Sequence, residues 1–248
     1  MNALITFGCS WTNGKASCYP REGMSEDEFS KKKTRENYNC SFRKILSERH
    51  NYVNINHAAC GSSNCKQFRR AEEYFNTDDY KKYDNVIVLW GLTSTARYEL
   101  WDLTKKKYRD YSLGKKNPDN IASTLRDEHY DHNVKVKRLS TQIKHWDNYF
   151  RMLGLKNYWF DTFNHHDYDY KSPNMICVDD NPRDILSKLC GGIKDDKYHH
   201  SKRVRDSERI KILEKRNLVN PYSLHPNVDC HIMIADILDK FVNFCYYK

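Results

Sequence analysis

The sequence predicts an α/β fold built on a parallel sheet with helices on both faces. Three observations carry that expectation. Short apolar runs recur along the chain, stretches of helical periodicity separate them, and the first three runs lead into glycine and hydroxyl residues.

Four runs read as strands: Ala3 to Phe7, Tyr52 to Asn56, Asn85 to Trp90 and Lys156 to Asp161. Between the first two, Asn39 to Arg49 sets Phe42, Ile45 and Leu46 on one helical face. Ser63 to Phe75 does the same with Phe68, Ala71 and Phe75, and Leu139, Ile143, Trp146, Phe150 and Leu153 recur at helical spacing before the fourth run. The resulting β-α-β-α-β-α-β order is that of a parallel sheet. Ile234, Ala235, Leu238 and Phe241 mark a closing amphipathic helix within Cys230 to Phe244. Two polar stretches, 15–37 and 104–137, are expected as loops or insertions in a single domain spanning 1–248. Ser201 to Arg216, with seven Lys or Arg against three acids, reads as an exposed helix whose charge is solvated or meets an anion.

The 248 residues carry a net charge of +9, with a mean hydropathy of −0.91. Such a basic balance favours anionic neighbours without naming one. Nine cysteines form no C-x-x-C pair, so reduced, mostly buried thiols are expected in place of a zinc module or a disulfide framework. Adjacent His165-His166 with Asp161, Asp167 and Asp169, and His199-His200, lack metal-ligand spacing, so neither metal nor cofactor is expected. The apolar run before Gly8 is too short for an export signal, and no run approaches the ~20 residues of a bilayer span. A soluble protein in the cytoplasm of the producing cell, with no membrane partner, is the expectation.

In an open parallel sheet, ligands bind beyond the carboxyl ends of the strands. There stand Gly8 and Ser10 after the first run, His57 and Gly61-Ser62-Ser63-Asn64 after the second, and Gly91-Leu92-Thr93-Ser94 at the end of the third. Far downstream, "SLHPNVDCH" puts His225 just before the last helix. Ser10 reads either as a nucleophile or as a turn-capping hydroxyl. Gly61 serves a tight turn, an anion-facing N–H, or both.

These blocks, in this order, resemble the SGNH (GDSL-like) hydrolase superfamily. "FGCSWT" is similar to its first block, with Ser10 in the nucleophile position and Cys9 where Asp is usual; "NHAACGSSN" resembles the second, with Gly61 as backbone donor. "VLWGLTSTAR" resembles the third, with Thr93 where an oxyanion-binding Asn is usual, and "LHPNVDCHIMIADIL" resembles the fifth, with His225 as general base. The resemblance implies a three-layer α/β/α fold and hydrolysis of a small ester, or of an acetylated carbohydrate, by a serine nucleophile. The physical logic agrees, because a serine hydroxyl needs a neighbouring imidazole to take its proton and fixed donors to hold the oxyanion. Tyr222 stands where the family has the orienting Asp, leaving Asp229 as a substitute orienter or a plain helix-terminus charge. Arg97 and Glu99 form either a supporting ion pair or a surface one. The same resemblance extends to bacteriophage-encoded members, so a second reading keeps the fold as a virion component with virion-protein partners and little catalysis. Nucleic-acid binding through "TKKKYRDYSLGKK" is a third reading, and nucleic acid is not the expected partner.

Overall fold

The computed structural model describes residues 1–15, 25, 27–28, 40–113, 120–163, 166–176, 184–191, 208–220 and 225–244. Its strands are β1 (Asn2–Phe7), β2 (Tyr52–Asn56), β3 (Asn85–Leu92), β4 (Arg97–Asp102), β5 (Lys107–Ser112) and β6 (Lys156–Asp161). Four of them form a parallel sheet in the order β2-β1-β3-β6, while β4 and β5 pair as a separate antiparallel hairpin.

Successive side chains of a strand point to opposite faces. β1 sends Leu4 to one face and Ala3, Ile5 and Phe7 to the other; β3 divides Ile87 and Leu89 from Val86, Val88 and Trp90; β6 divides Phe160 from Trp159. Both faces are covered, which is why these runs are apolar throughout. On the first face lie α1 (Ser10–Asn13), α2 (Phe42–His50), α6 (Ile185–Leu189), α7 (Glu208–Lys215) and α8 (Val228–Asp239). The other face is closed by α3 (Asn64–Phe75) and α5 (His132–Met152). The result is a three-layer α/β/α fold.

The two cores differ in kind. The first is largely aliphatic, whereas the second is a run of rings. Phe7, Trp90 and Trp159 are in register across β1, β3 and β6, stacked with centroids 4.5 and 4.7 Å apart, and His57 extends the ladder over Phe7 at 5.1 Å. Each such pair adds about 0.5–1.5 kcal/mol beyond its buried area.

Three expectations are corrected. Of the two readings of 104–137, the plain loop is overturned, because its described residues hold regular structure: β5, α4 (Asn120–Glu128) and the start of α5. The β4–β5 hairpin and α4 enclose a small core of their own around Tyr98, Tyr111, Leu113 and Ala122. α5 begins at His132 because the Asp131 carboxylate accepts the Val134 N–H at 3.0 Å, so the cap sets its start well before its first core leucine, Leu139. The basic 201–216 stretch is described only from residue 208, where α7 buries Ile210 and Leu213 and holds Arg209 against Asp184 at 3.2 Å. A pair taken out of water this fully must be hydrogen-bonded to survive, and Ser187 completes it. Cys40 is disulfide-bonded, so the expectation of reduced thiols does not hold throughout, although Cys9, Cys190 and Cys230 are free and buried. The 15–37 stretch lies almost entirely outside the described residues. Among the described residues, no helix is long and apolar enough to cross a membrane.

α1 is seated by glycine. A Cβ on Gly8 would lie 2.1 Å from Thr12 Oγ1, and one on Gly91 would lie 2.3 Å from the same atom and 2.9 Å from the Phe160 ring. Thr12 is thus wedged between the end of β1 and the end of β3, with no room for any other residue at either glycine. Gly91→Ala is expected to cost about 1–3 kcal/mol of unfolding free energy in urea titration. The added Thr12→Ala change should recover part of that loss, since it removes the closest clashing atom.

Candidate active site at the carboxyl edge of the sheet

Ser10 is the first residue of α1, directly beyond β1, and its side chain is almost buried. It is not the capping residue. That place belongs to Cys9, which makes no side-chain capping bond, so the capping reading of Ser10 falls away. Among the described residues neither the Ser10 nor the Gly61 backbone N–H donates a hydrogen bond. Gly61 has φ +74° and nothing within 4 Å of a built Cβ, so its glycine is required by conformation and not by crowding.

The loops after β1 and β2 are tied together. Asn56 Nδ2 donates to Asn13 Oδ1 at 2.7 Å, Asn13 Nδ2 reaches Cys60 Sγ at 3.7 Å, and the Ala59 N–H donates to the Gly8 carbonyl at 3.0 Å. After β3, Asn64 clamps Thr93 in both directions: its Nδ2 donates to the Thr93 carbonyl at 2.8 Å, and its Oδ1 accepts the Thr93 N–H at 2.9 Å. The Thr93 hydroxyl is buried without a hydrogen-bond partner, which marks it as a group with unspent donor capacity. Ser10, Gly61 and Thr93 therefore share one edge, following three adjacent strands.

Arg97 does not pair with Glu99. Arg69 takes both Glu99 oxygens at 2.7 and 2.8 Å, whereas Arg97 lies 5.6 Å from the centre of the Phe163 ring and donates to the Ser62 carbonyl at 3.4 Å. Phe163 in turn meets Trp11 edge-on at 5.1 Å. One chain of contacts thus joins the turn of Ser10, the wall after β6, Arg97 and the loop of Gly61. Sequence reasoning missed this contact, and it missed the Asn64 clamp. Behind the wall, buried Asp161 accepts from Tyr168 Oη at 2.6 Å, and burial together with that carboxylate pushes the Tyr168 phenol well above its usual range. His57, considered for the site, is a structural ring: burial and then Arg70 lower its pKa, and its ring lies on Phe7.

His225 is half-buried, and its carbonyl accepts the Asn220 N–H at 2.8 Å beside an antiparallel bridge between Val219 and Pro226. Asn227 caps α8 through the Cys230 N–H, and Asp229 is exposed in that helix's first turn. Tyr222 lies outside the described residues. α8 is linked to the Ser10 turn through α2. His231 Nδ1 accepts the Phe42 N–H at 3.3 Å, and the next residue, Arg43, donates to the Asn13 carbonyl at 3.2 Å. Among the described residues no group of three or more His, Cys, Asp or Glu side chains is placed to hold a metal.

No protein-family model and no curated protein matches the chain. Among solved structures, a mutant of an acetyl-xylooligosaccharide esterase from Geobacillus is similar with a TM-score of 0.34 and 12% identity, over 99% of this chain and 96% of that one.

Two tests follow from the site's supports. Asn64→Ala strands the Thr93 N–H and carbonyl and is expected to lower stability by about 1–3 kcal/mol in urea titration. His231 is held at about 3, first by burial and then by the charges of Arg43 and His225. Because the unfolded chain binds that proton far more readily, stability is complete above about pH 6.5 and is lost as pH falls toward about 3. His231→Asn keeps an acceptor for the Phe42 N–H, so the thermal midpoint of the variant should fall less steeply across that window.

Proposed function

We propose that the chain is a serine hydrolase of SGNH type that cleaves a small ester or deacetylates a carbohydrate. The observation that carries the reading is the seating of Ser10. Thr12 fixes its turn against the ends of two central strands, on the sheet edge that also carries an unspent Gly61 N–H and an unpartnered Thr93 hydroxyl.

In this reading Ser10 Oγ attacks the ester carbonyl while the His225 imidazole takes its proton. The negative charge that develops on the carbonyl oxygen is met by the N–H groups of Ser10 and Gly61, fixed by the backbone before substrate arrives, and by the Thr93 hydroxyl, which rotates to donate to it. The imidazolium returns its proton to the departing alcohol, and water then releases the acyl group by the same route. Tyr222 has no carboxylate to orient the imidazole, so that task falls to a neighbour, with Asp229 the candidate. The loss of an orienting acid slows such a dyad without removing the attack itself. Arg97 supports the loop of Gly61 through Ser62.

Hydrolysis of 4-nitrophenyl acetate tests the reading. Ser10→Ala and His225→Ala should each lower kcat by about 10³-fold or more with the circular dichroism spectrum unchanged. Thr93→Ala should cost about 10- to 10²-fold. Equal inertness of wild type and Ser10→Ala toward this ester and toward acetylated xylo-oligosaccharides would overturn the reading in favour of a fold kept for binding or virion assembly.

A further inference from the structure

A hollow of about 440 Å³ opens between α3, α5 and the start of β4, lined by Asn64, Arg97, Lys135, Arg138 and His145 among others. Among the described residues, Arg97, Lys135 and Arg138 form no ion pair. The neighbouring acids are already engaged, Glu99 by Arg69 and Asp110 by Lys66. Arg97 and Lys135 rest on aromatic rings instead, with Lys135 Nζ 3.9 Å from the centre of Tyr98. Burial, reinforced by Arg138, lowers the Lys135 pKa, although the Cys65 thiol opposes this. Like charges gathered without a counter-charge in a concave, partly dry site attract an anion strongly.

A second hollow, of about 420 Å³, adjoins the first and shares Gln142 and His145 with it. It is lined by Phe68, Phe75, Trp146 and Tyr149, with Asn76 and Glu72 at its rim. Aromatic walls with a few amides suit a ring that is apolar on its faces and hydroxylated at its edge, as a pyranose is. The carboxylate of Glu72 repels an acid from this hollow and leaves it to neutral rings, while the cations make the other the anionic end, the one that takes a negative group. The anionic end also abuts the candidate active site, since Asn64 clamps Thr93 and Arg97 touches Ser62 and Phe163.

We infer that this double hollow binds an acidic oligosaccharide, with a carboxylate against Arg97, Lys135 and Arg138 next to the ester and neutral sugar rings along Trp146 and Tyr149. The inference rests on the hydrolase reading only for the ester; the binding itself stands apart from turnover. Unlike a track for a nucleic-acid strand, the charge here is confined to one end of a bounded cavity.

The test is calorimetry on the Ser10→Ala protein. Aldotriouronic acid, a xylose dimer bearing one glucuronate, is the probe, and xylotriose is its neutral counterpart. The acidic trimer should bind at least tenfold more tightly than the neutral one, and the preference should shrink as salt is raised. Arg138→Gln and Lys135→Gln, each with unchanged circular dichroism, should weaken the acidic trimer by about tenfold, and Trp146→Leu should weaken both trimers. Equal affinity for the two trimers, binding of neither, or tighter binding of a single-stranded oligonucleotide than of the acidic trimer would overturn the inference. Acid-selective binding with no Ser10-dependent turnover would uphold the pocket and reject the hydrolase reading, whereas turnover without acid-selective binding would do the reverse.

Discussion

The ladder of stacked rings at the carboxyl end of the sheet is the constraint on which the rest depends. His57, Phe7, Trp90 and Trp159 come from four neighbouring segments of chain, and their contact fixes the spacing of the strand ends. Immediately beyond the ladder, Gly8 and Gly91 leave the gap that Thr12 fills. A different strand spacing would open or close that gap, and the turn bearing Ser10 would move with it. The position of one hydroxyl is therefore a property of packing across the whole sheet.

Around that turn, polar groups do what the rings cannot. Asn13, Asn56 and Asn64 knit the loops after the strands to one another, and amides suit this work because each carries a donor and an acceptor on one short side chain. The far side is held by Arg43, which spans from Asn54 to the end of α1 and whose pKa burial lowers to about 10. His231 lies in the same dry layer, where burial and then the Arg43 charge lower its pKa, so the layer joining α8 to α1 is set to hold an uncharged imidazole.

Much of this was legible in the sequence. The strands were readable because a run covered on both faces is apolar at every position, and three of the four ended within one residue of expectation. The segment around β4 and β5 was not, because "RYELWD" and "KYRDYS" form a half-exposed hairpin whose charged residues mask its small core. Gly8, Ser10, Gly61 and Thr93 were singled out from their positions after apolar runs, and Ser10, Gly61 and Thr93 do follow three adjacent strands. Arg97 was singled out as well, but its partner was misjudged, since nearness in sequence favoured Glu99 while the fold brought Arg69 there. Lys135 and Arg138 could not be connected to the site by sequence, because they come from a helix that meets the sheet edge only through tertiary packing.

The aromatic make-up of that edge has an entropic side. A ring has only two side-chain torsions to lose, and these are already immobilised when the sheet forms. The ordering of the strand ends is thus completed during folding. Under the proposed function, a ligand arriving at Ser10 meets groups with little freedom left to surrender, so more of its contact energy remains as affinity or is available for lowering a barrier.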